Sequence, residues 1–331
     1  MDFAFLIHSR DYTDVQRKFK IAKYLPKSWV EFWCLHWPPV VVSKITGLKD
    51  KDGKECKGWL IGIPMTAKQM MENRKLAKGK IIQAIKKAEK LGARIVGLGA
   101  LTSSVTNGGL DLINETATTI TSGNALTAGI SFKDVNEIIQ NNSVQKIGII
   151  GATGSIGQAV TKLLIKNYPQ KEFILFAHTK KNLDNLTNTL SEISPQTKIS
   201  GFIDNLIQLK KANLILVATS APNAFIGTEH IRNGAIIYDI TQPQNISLNS
   251  IKERPDLKIY DGGLVIIPQL ECKIPLGLPK KTVFACLAET ILLSLEGYNT
   301  NFSMGKVELN KIQKIMDLAK KYKFRPATLR L

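Results

Sequence analysis

Residues 146–157 read KIGIIGATGSIG, an apolar strand, a turn with glycines at 151, 154 and 157, and the start of a helical run that extends to Asn167. Few stretches restrict a fold so tightly. Glycines at this spacing allow a tight turn and let the backbone approach a pyrophosphate, whose charge is stabilised by the amides opening the helix. The segments that follow, FILFAH, LILVATSA, AIIYDIT and KIYDGGLV, are short apolar runs separated by helices or loops. That alternation implies a parallel sheet covered on both faces, because such strands have no polar side to give to water. The expected fold class is therefore α/β, with a Rossmann-type doubly wound parallel sheet, an N-terminal α/β substrate domain and C-terminal helices.

The strand-turn-helix context makes Gly151, Gly154 and Gly157 candidates for dinucleotide binding, with Thr153, Ser155 and Ile156 in the same loop. An NAD site usually carries an acid at the end of the second strand to hold the ribose hydroxyls. Glu172 precedes FILFAH and so stands at the wrong end. The right end reads His178-Thr179-Lys180-Lys181, a basic loop that suits a 2′-phosphate and favours NADPH, unless these side chains simply face solvent. Ligands in open α/β sheets lie beyond the carboxyl ends of strands. This rule adds Ala218, Thr219, Ser220, Asp239 and Asp261-Gly262-Gly263 near the nicotinamide end.

A chain of 331 residues suggests about two cores. The first part also alternates. FAFLIH, PVVVSKITGL and KGWLIGIPM are extended, Thr66 to Leu91 reads as one helix interrupted at Gly79, RIVGLGAL (94–101) is a buried strand, and 125–141 can be helical. The polar QNNSVQ at 140–145 marks a boundary. The expected division is 1–143 for substrate, 144–275 for the dinucleotide, and 276–331 as helices that pack back on the N-terminal domain.

The formal charge is +18, which favours an acidic protein, a phosphorylated cofactor or an anionic membrane surface. The charge concentrates at 74–94 and 306–330, both with helical apolar spacing, so two solvated amphipathic faces are the first account of it. Nothing resembles a nucleic-acid reader, and no partner of that kind is expected. The cysteines at 34, 56, 272 and 286 lack the spacing of a metal or disulfide framework, so no metal is expected. With no signal-peptide or membrane-spanning pattern, the expected location is the cytoplasm, either free or peripheral at a membrane.

KKTVFACLAETILLSLEG (280–297) reads as a helix with Cys286 and Glu289 in its first turns. A lone cysteine is usually a small buried hydrophobe. Several segments, however, resemble one family in the same order: EFWCLHWPP, LGALTSS, TSGNALTAG, GATGSIG, YDGGLV and, above all, VFACLAETILLSLEG followed by TNFSMG. They resemble the long-chain acyl-[acyl-carrier-protein] reductases and their wider bacterial relatives. The resemblance implies reduction of a fatty acyl thioester to a fatty aldehyde with NADPH, the acyl donor being acyl carrier protein or acyl-CoA. It also implies that Cys286 is the acyl-accepting nucleophile and that Gly151, Gly154 and Gly157 hold the cofactor.

A thiolate near a helix N-terminus and Lys280-Lys281 would have its charge favoured. Glu289 could shuttle a proton or cap a polar neighbour, and Thr121, Ser122 and Asn124 are either substrate-side donors or an ordinary Gly-Asn turn. Two rivals remain. One is an NADP-dependent dehydrogenase acting on a small polar substrate without a covalent step, and the other is a dinucleotide-binding module without activity.

Overall fold

The computed structural model describes residues 1–9, 13, 15–16, 20–220, 226–242, 244–246, 252–273 and 276–330. Its elements run, in chain order, β1 (Phe3–Ser9), α1 (Lys27–His36), β2 (Val40–Lys49), β3 (Glu55–Thr66), α2 (Ala67–Glu72), α3 (Arg74–Lys90), β4 (Ile95–Leu98), α4 (Leu101–Ser104), β5 (Thr119–Thr121) and α5 (Asn124–Asn141). There follow β6 (Lys146–Ile150), α6 (Ser155–Asn167), β7 (Glu172–Ala177), α7 (Lys180–Ile193), β8 (Ile199–Ile203), β9 (Leu214–Val217), β10 (Ile236–Asp239), β11 (Lys258–Ile266), α8 (Ala285–Glu296) and α9 (Leu309–Lys321).

Contacts divide the chain into two units. The first holds Met1–Leu126, Val265–Gly305 and Gln313–Arg325, and the second holds Thr127–Leu264, Lys306–Ile312 and Pro326–Leu331. The break falls after Leu126, inside α5. The polar 140–145 stretch instead joins α5 to β6, so its composition reflects a surface loop.

In the first unit a sheet runs from the two-residue strand Glu271–Cys272 through β2, β3, β1, β4 and β5. β3, β1, β4 and β5 are mutually parallel, and β2 pairs antiparallel with β3. The core on this sheet draws on Leu6, Ile61 and Ile63 from the strands and on Ile81 and Ile85 from α3. α8 packs on β4 and β1. Gly97 admits it closely, since a Cβ there would lie 2.0 Å from Thr290 Oγ1.

In the second unit six strands are all parallel in the order β8-β7-β6-β9-β10-β11. That is the doubly wound arrangement, with its reversal of direction between β6 and β9. The fold class read from the sequence is the one observed.

Three local expectations need correction. The helix expected over 66–91 is broken at Asn73 rather than Gly79. Asn73 takes φ −124°, ψ 56° and donates from backbone and side chain to Gln69 O, closing α2 before α3 begins. Gly79 has open space around its Cα and leaves α3 intact. The strand expected over 94–101 ends at Leu98, and the helix expected from Lys280 begins at Ala285, after a short strand Thr282–Phe284.

Candidate functional site

Cys286 occupies the second position of α8, facing the turn after β5. Gly123 in that turn has φ +76°, and a Cβ on it would lie 2.2 Å from Cys286 Cβ, so only glycine lets the turn and the thiol sit together. Across from it the chain leaving β4 makes a sharp elbow. Ala100 takes φ 47°, ψ −123°, an unfavourable region for a residue with a Cβ. The amides of Leu287, Cys286 and Ala100 all draw on the Cys286 sulfur. The thiol thus lies beyond the carboxyl ends of parallel strands, with backbone donors converging on it from α8 and from the elbow. His8, at the carboxyl end of β1, accepts a 3.4 Å hydrogen bond at Nε2 from the Leu101 amide and so belongs to the same end of the sheet.

The electrostatics differ from the sequence-based expectation. Burial pushes the Cys286 thiol up to about 12, outweighing the three amides, and the neighbouring Glu289 carboxyl adds to the rise. Lys280 and Lys281 are exposed, and neither is among the groups that move the thiol most, so burial outweighs the stabilisation expected from this basic pair. Alkylation of Cys286 by iodoacetamide should therefore be slower at pH 7 than that of free cysteine and should climb about tenfold per pH unit well past pH 9. A plateau near neutrality would mean that the thiol is already ionised without ligand.

Glu289, one turn on from Cys286, is fully buried, and protein donors occupy its carboxylate. Thr121 donates its hydroxyl to Oε1, Leu126 donates its amide to Oε2 at 2.7 Å, and Ser303 Oγ and the Gly123 amide also bond the group. Burial still holds its carboxyl above the usual range. Glu289 ties α8 to the β5–α5 turn and fixes Gly123 against Cys286. Ser122 donates to Ser303 O, so its hydroxyl also serves this turn, and the Asn124 amide lies 3.4 Å from Ser122 Oγ. Of the other cysteines, Cys34 and Cys56 are buried, and Cys272 lies half-buried 3.8 Å from Ser43 Oγ.

In the second unit the glycine loop sits where the strand order reverses. A Cβ on Gly151 (φ +76°) would lie 2.4 Å from Ala218 O, and one on Gly157 would lie 2.2 Å from Gly151 O. Gly154 is the N-cap of α6, with φ −68° and its nearest potential contact at 3.2 Å. Thr153 belongs to the turn, and Ser155 and Ile156 begin α6, whose first-turn amides face the loop. Ala218-Thr219-Ser220 leaves β9 directly beside it. The cradle fits a dinucleotide pyrophosphate, because its room depends on missing side chains and its donors are amides.

This arrangement separates two substitutions. Gly154→Val should keep the fold, since φ −68° suits any residue, yet dinucleotide titration followed by intrinsic fluorescence should show no binding. Gly157→Val should destabilise the unit itself. Equal binding by Gly154→Val and wild type would place the pyrophosphate elsewhere.

At the end of β7, His178 Nδ1 lies 3.5 Å from Asp204 Oδ1, and Lys180 pairs with Asp184 at 2.8 Å. Asp204, just after β8, and Asp184 of α7 therefore face His178 and Lys180, and the 178–181 stretch expected as a loop instead opens α7 at Lys180, which the linear sequence does not reveal. Thr179 is the N-cap residue of α7. Glu172 begins β7 and pairs with Lys146 and Lys198, away from this loop.

Asp239 has a structural task at the end of β10. Its carboxylate accepts from the Thr241 amide and hydroxyl and from the Asn245 amide, holding the loop after β10. Asp261, its register neighbour on β11, is buried with Oδ1 unpaired, and burial beside Asp239 pushes it up to about 6. Gly262 and Gly263 are shaped by residues the sequence did not single out. A Cβ on Gly262 would lie 2.1 Å from Tyr238 Cζ, and the Tyr238 hydroxyl accepts from the Gly263 amide at 3.0 Å while donating to Asp134 at 2.6 Å. The alternation of β10 could have placed Tyr238 inward, but nothing local pairs it with Asp134. Among the described residues no group of three or more His, Cys, Asp or Glu could hold a metal ion.

A model of the shikimate / quinate 5-dehydrogenase family matches residues 133–261, within the second unit. The parallel sheet, the glycine cradle and this match define a dinucleotide-binding α/β oxidoreductase. Over nearly the whole chain the sequence is similar to the long-chain acyl-[acyl-carrier-protein] reductase of Synechococcus elongatus, with 27% identity covering 96% of this chain and 95% of that protein. It is also 27% identical to aminotransferase PigE of a Serratia species over 82% of this chain, although the chain spans only 32% of that protein's length. Among solved structures, quinate dehydrogenase from Corynebacterium glutamicum in complex with NAD aligns over 96% of this chain and 99% of its own, with 9% identity and a TM-score of 0.41.

Proposed function

We propose that this chain reduces a long-chain fatty acyl thioester to the aldehyde, using NADPH and an acyl-enzyme on Cys286. The observation that carries this is the setting of Cys286, a half-buried thiol beyond the carboxyl ends of parallel strands, where the amides of α8 and the Ala100 elbow converge. The long-range similarity to an acyl-carrier-protein reductase supports it. In this scheme the Cys286 sulfur bonds to the thioester carbon, the carbon–sulfur bond to the carrier breaks, and the proton lost by Cys286 leaves with the carrier thiol. The converging amides are suited to negative charge on sulfur or on the carbonyl oxygen. The bound dinucleotide supplies the hydride that brings the acyl carbon to the aldehyde level. Release of aldehyde breaks the carbon–sulfur bond, the electron pair passes back to the sulfur that the amides face, and a proton taken from solvent restores the Cys286 thiol. Glu289 acts as a positioning residue, since its oxygens are spent on the turn.

The acyl donor is acyl carrier protein or acyl-CoA, both acidic enough to be drawn by a +18 chain. Mixing the protein with a palmitoyl thioester and NADPH should yield hexadecanal with stoichiometric oxidation of the dinucleotide. NADH should bind about tenfold more weakly, the worth of one charge-assisted contact to the 2′-phosphate in the His178–Lys181 stretch. Failure to form aldehyde with either dinucleotide would remove this function. The family match at 133–261 favours a second scheme, direct hydride exchange with a small polar substrate. It predicts turnover that is indifferent to Cys286.

A further inference from the structure

Residues 20–36 of the first unit carry an apolar surface that the reaction does not use. Ile21, Tyr24, Trp29 and Phe32 are 66%, 87%, 59% and 59% exposed, in a protein whose other aliphatic and aromatic side chains are largely inside. The division of α1 into two faces explains this. Val30 and Cys34 point inward to a small cluster with Val15, Ala22 and Leu25. Trp29, Phe32 and His36, at helical spacing, point outward, and the Phe32 and His36 rings pack 4.4 Å apart. The helix is firmly seated. Gln69 Nε2 donates to Glu31 O at 2.9 Å, and buried Lys80 reaches the carbonyls of Cys34 and Trp37, satisfying the C-terminal end of α1 with a cation. The outward aromatics therefore stand on a fixed platform.

The charge around them is basic. Lys20, Lys23 and Lys27 are exposed between the apolar residues, and the only acid on α1, Glu31, lies 3.7 Å from Lys27. At its far end α1 borders an open cleft of about 830 Å³, where Leu35 and His36 face Arg74 and Lys75. Aromatic and aliphatic side chains interleaved with lysines match the headgroup level of an anionic bilayer, where rings enter the interface and ammonium groups meet phosphate. No helix among the described residues is long and apolar enough to cross a membrane, so contact of this kind would lie on the surface. We infer that the face formed by Ile21, Tyr24, Trp29 and Phe32, with its flanking lysines, docks this protein on an anionic phospholipid surface. The inference does not depend on the reaction proposed above, although a long-chain aldehyde would partition into the same lipid.

The test is flotation of the full chain with vesicles. Vesicles of phosphatidylglycerol and phosphatidylcholine in equal parts should bind at least tenfold more protein than vesicles of phosphatidylcholine alone. Trp29→Glu with Phe32→Glu should reduce binding to the anionic vesicles at least tenfold while leaving the melting temperature and dinucleotide affinity unchanged. If that variant folds poorly, Ile21→Ser with Tyr24→Ser should shift binding in the same direction. Unchanged vesicle binding by the folded variants would overturn the inference and assign attachment to the basic helices. Absence of wild-type binding would also overturn it, as would variants that keep vesicle binding but lose affinity for an acidic carrier protein or for a second copy in size exclusion.

Discussion

Cys286→Ser should bind the dinucleotide as wild type does and lose turnover of acyl thioester by at least about a thousandfold. The glycine cradle lies in the second unit, around Gly151, Gly154 and Gly157, and the substitution changes nothing there. Sulfur and oxygen differ little in size, so the turn at Gly123 should still close on position 286. What changes is nucleophilicity. Burial already makes the thiol hard to ionise, to about 12, and a hydroxyl in the same place would be harder still. The amides of Leu287 and Ala100 would then face a group that cannot supply the charge they are placed to receive. Serine in place of Cys34, Cys56 or Cys272 should cost no more than a few fold in activity. Stopped-flow assays beside fluorescence titration of each variant check both halves of this outcome.

Glu289→Ala should produce the largest loss of stability of any single substitution considered, about 3–5 kcal/mol. Its carboxylate is fully buried and receives Thr121, Ser303 and the amides of Leu126 and Gly123. Removing the acceptor would strand these donors away from water, which costs far more than the bonds contributed net. Glu289→Gln should cost less, about 1–3 kcal/mol, because one oxygen still accepts while its NH₂ confronts donors. Urea unfolding followed by circular dichroism would measure both. If Glu289→Ala instead unfolded like wild type, formed the acyl-enzyme at the normal rate and failed only in aldehyde release, Glu289 would be moving a proton rather than holding the turn.

The parts of this molecule legible in the sequence are those whose physics is local. KIGIIGATGSIG carries its own reason for being strand, turn and helix, and α6 runs from Ser155 to Asn167 as its pattern implies. Glu172 falls at the wrong end of β7 simply by counting. What escaped was set by tertiary partners. The stretch 280–297 has the apolar content of a helix, yet Thr282–Phe284 form a strand, with Ile267 donating its amide to Lys281 O just before it. Asn73 rather than Gly79 ends a helix, because Gly79 has only open space around it while the Asn73 side chain and backbone both reach Gln69 O. Asp239, expected near the nicotinamide end, has a carboxylate that accepts from Thr241 and Asn245, a pairing that no local pattern announces. Ala100 is the clearest omission. A strained elbow bears no mark in sequence when the residue is an alanine, although Gly99 before it and Leu101-Thr102-Ser103-Ser104 after it do signal a strand passing abruptly into a helix.

The central claim, an acyl-enzyme on Cys286, is tested most directly by the intact mass of the wild-type protein after mixing with a long-chain acyl thioester and no reduced dinucleotide. The expected result is one acyl increment, located on the peptide containing residue 286 and released by hydroxylamine. An increment on the peptide containing Cys272 would keep the covalent step and move the nucleophile. An unmodified mass, together with undiminished aldehyde formation by Cys286→Ser, would contradict the claim and leave direct hydride transfer to a noncovalently bound substrate.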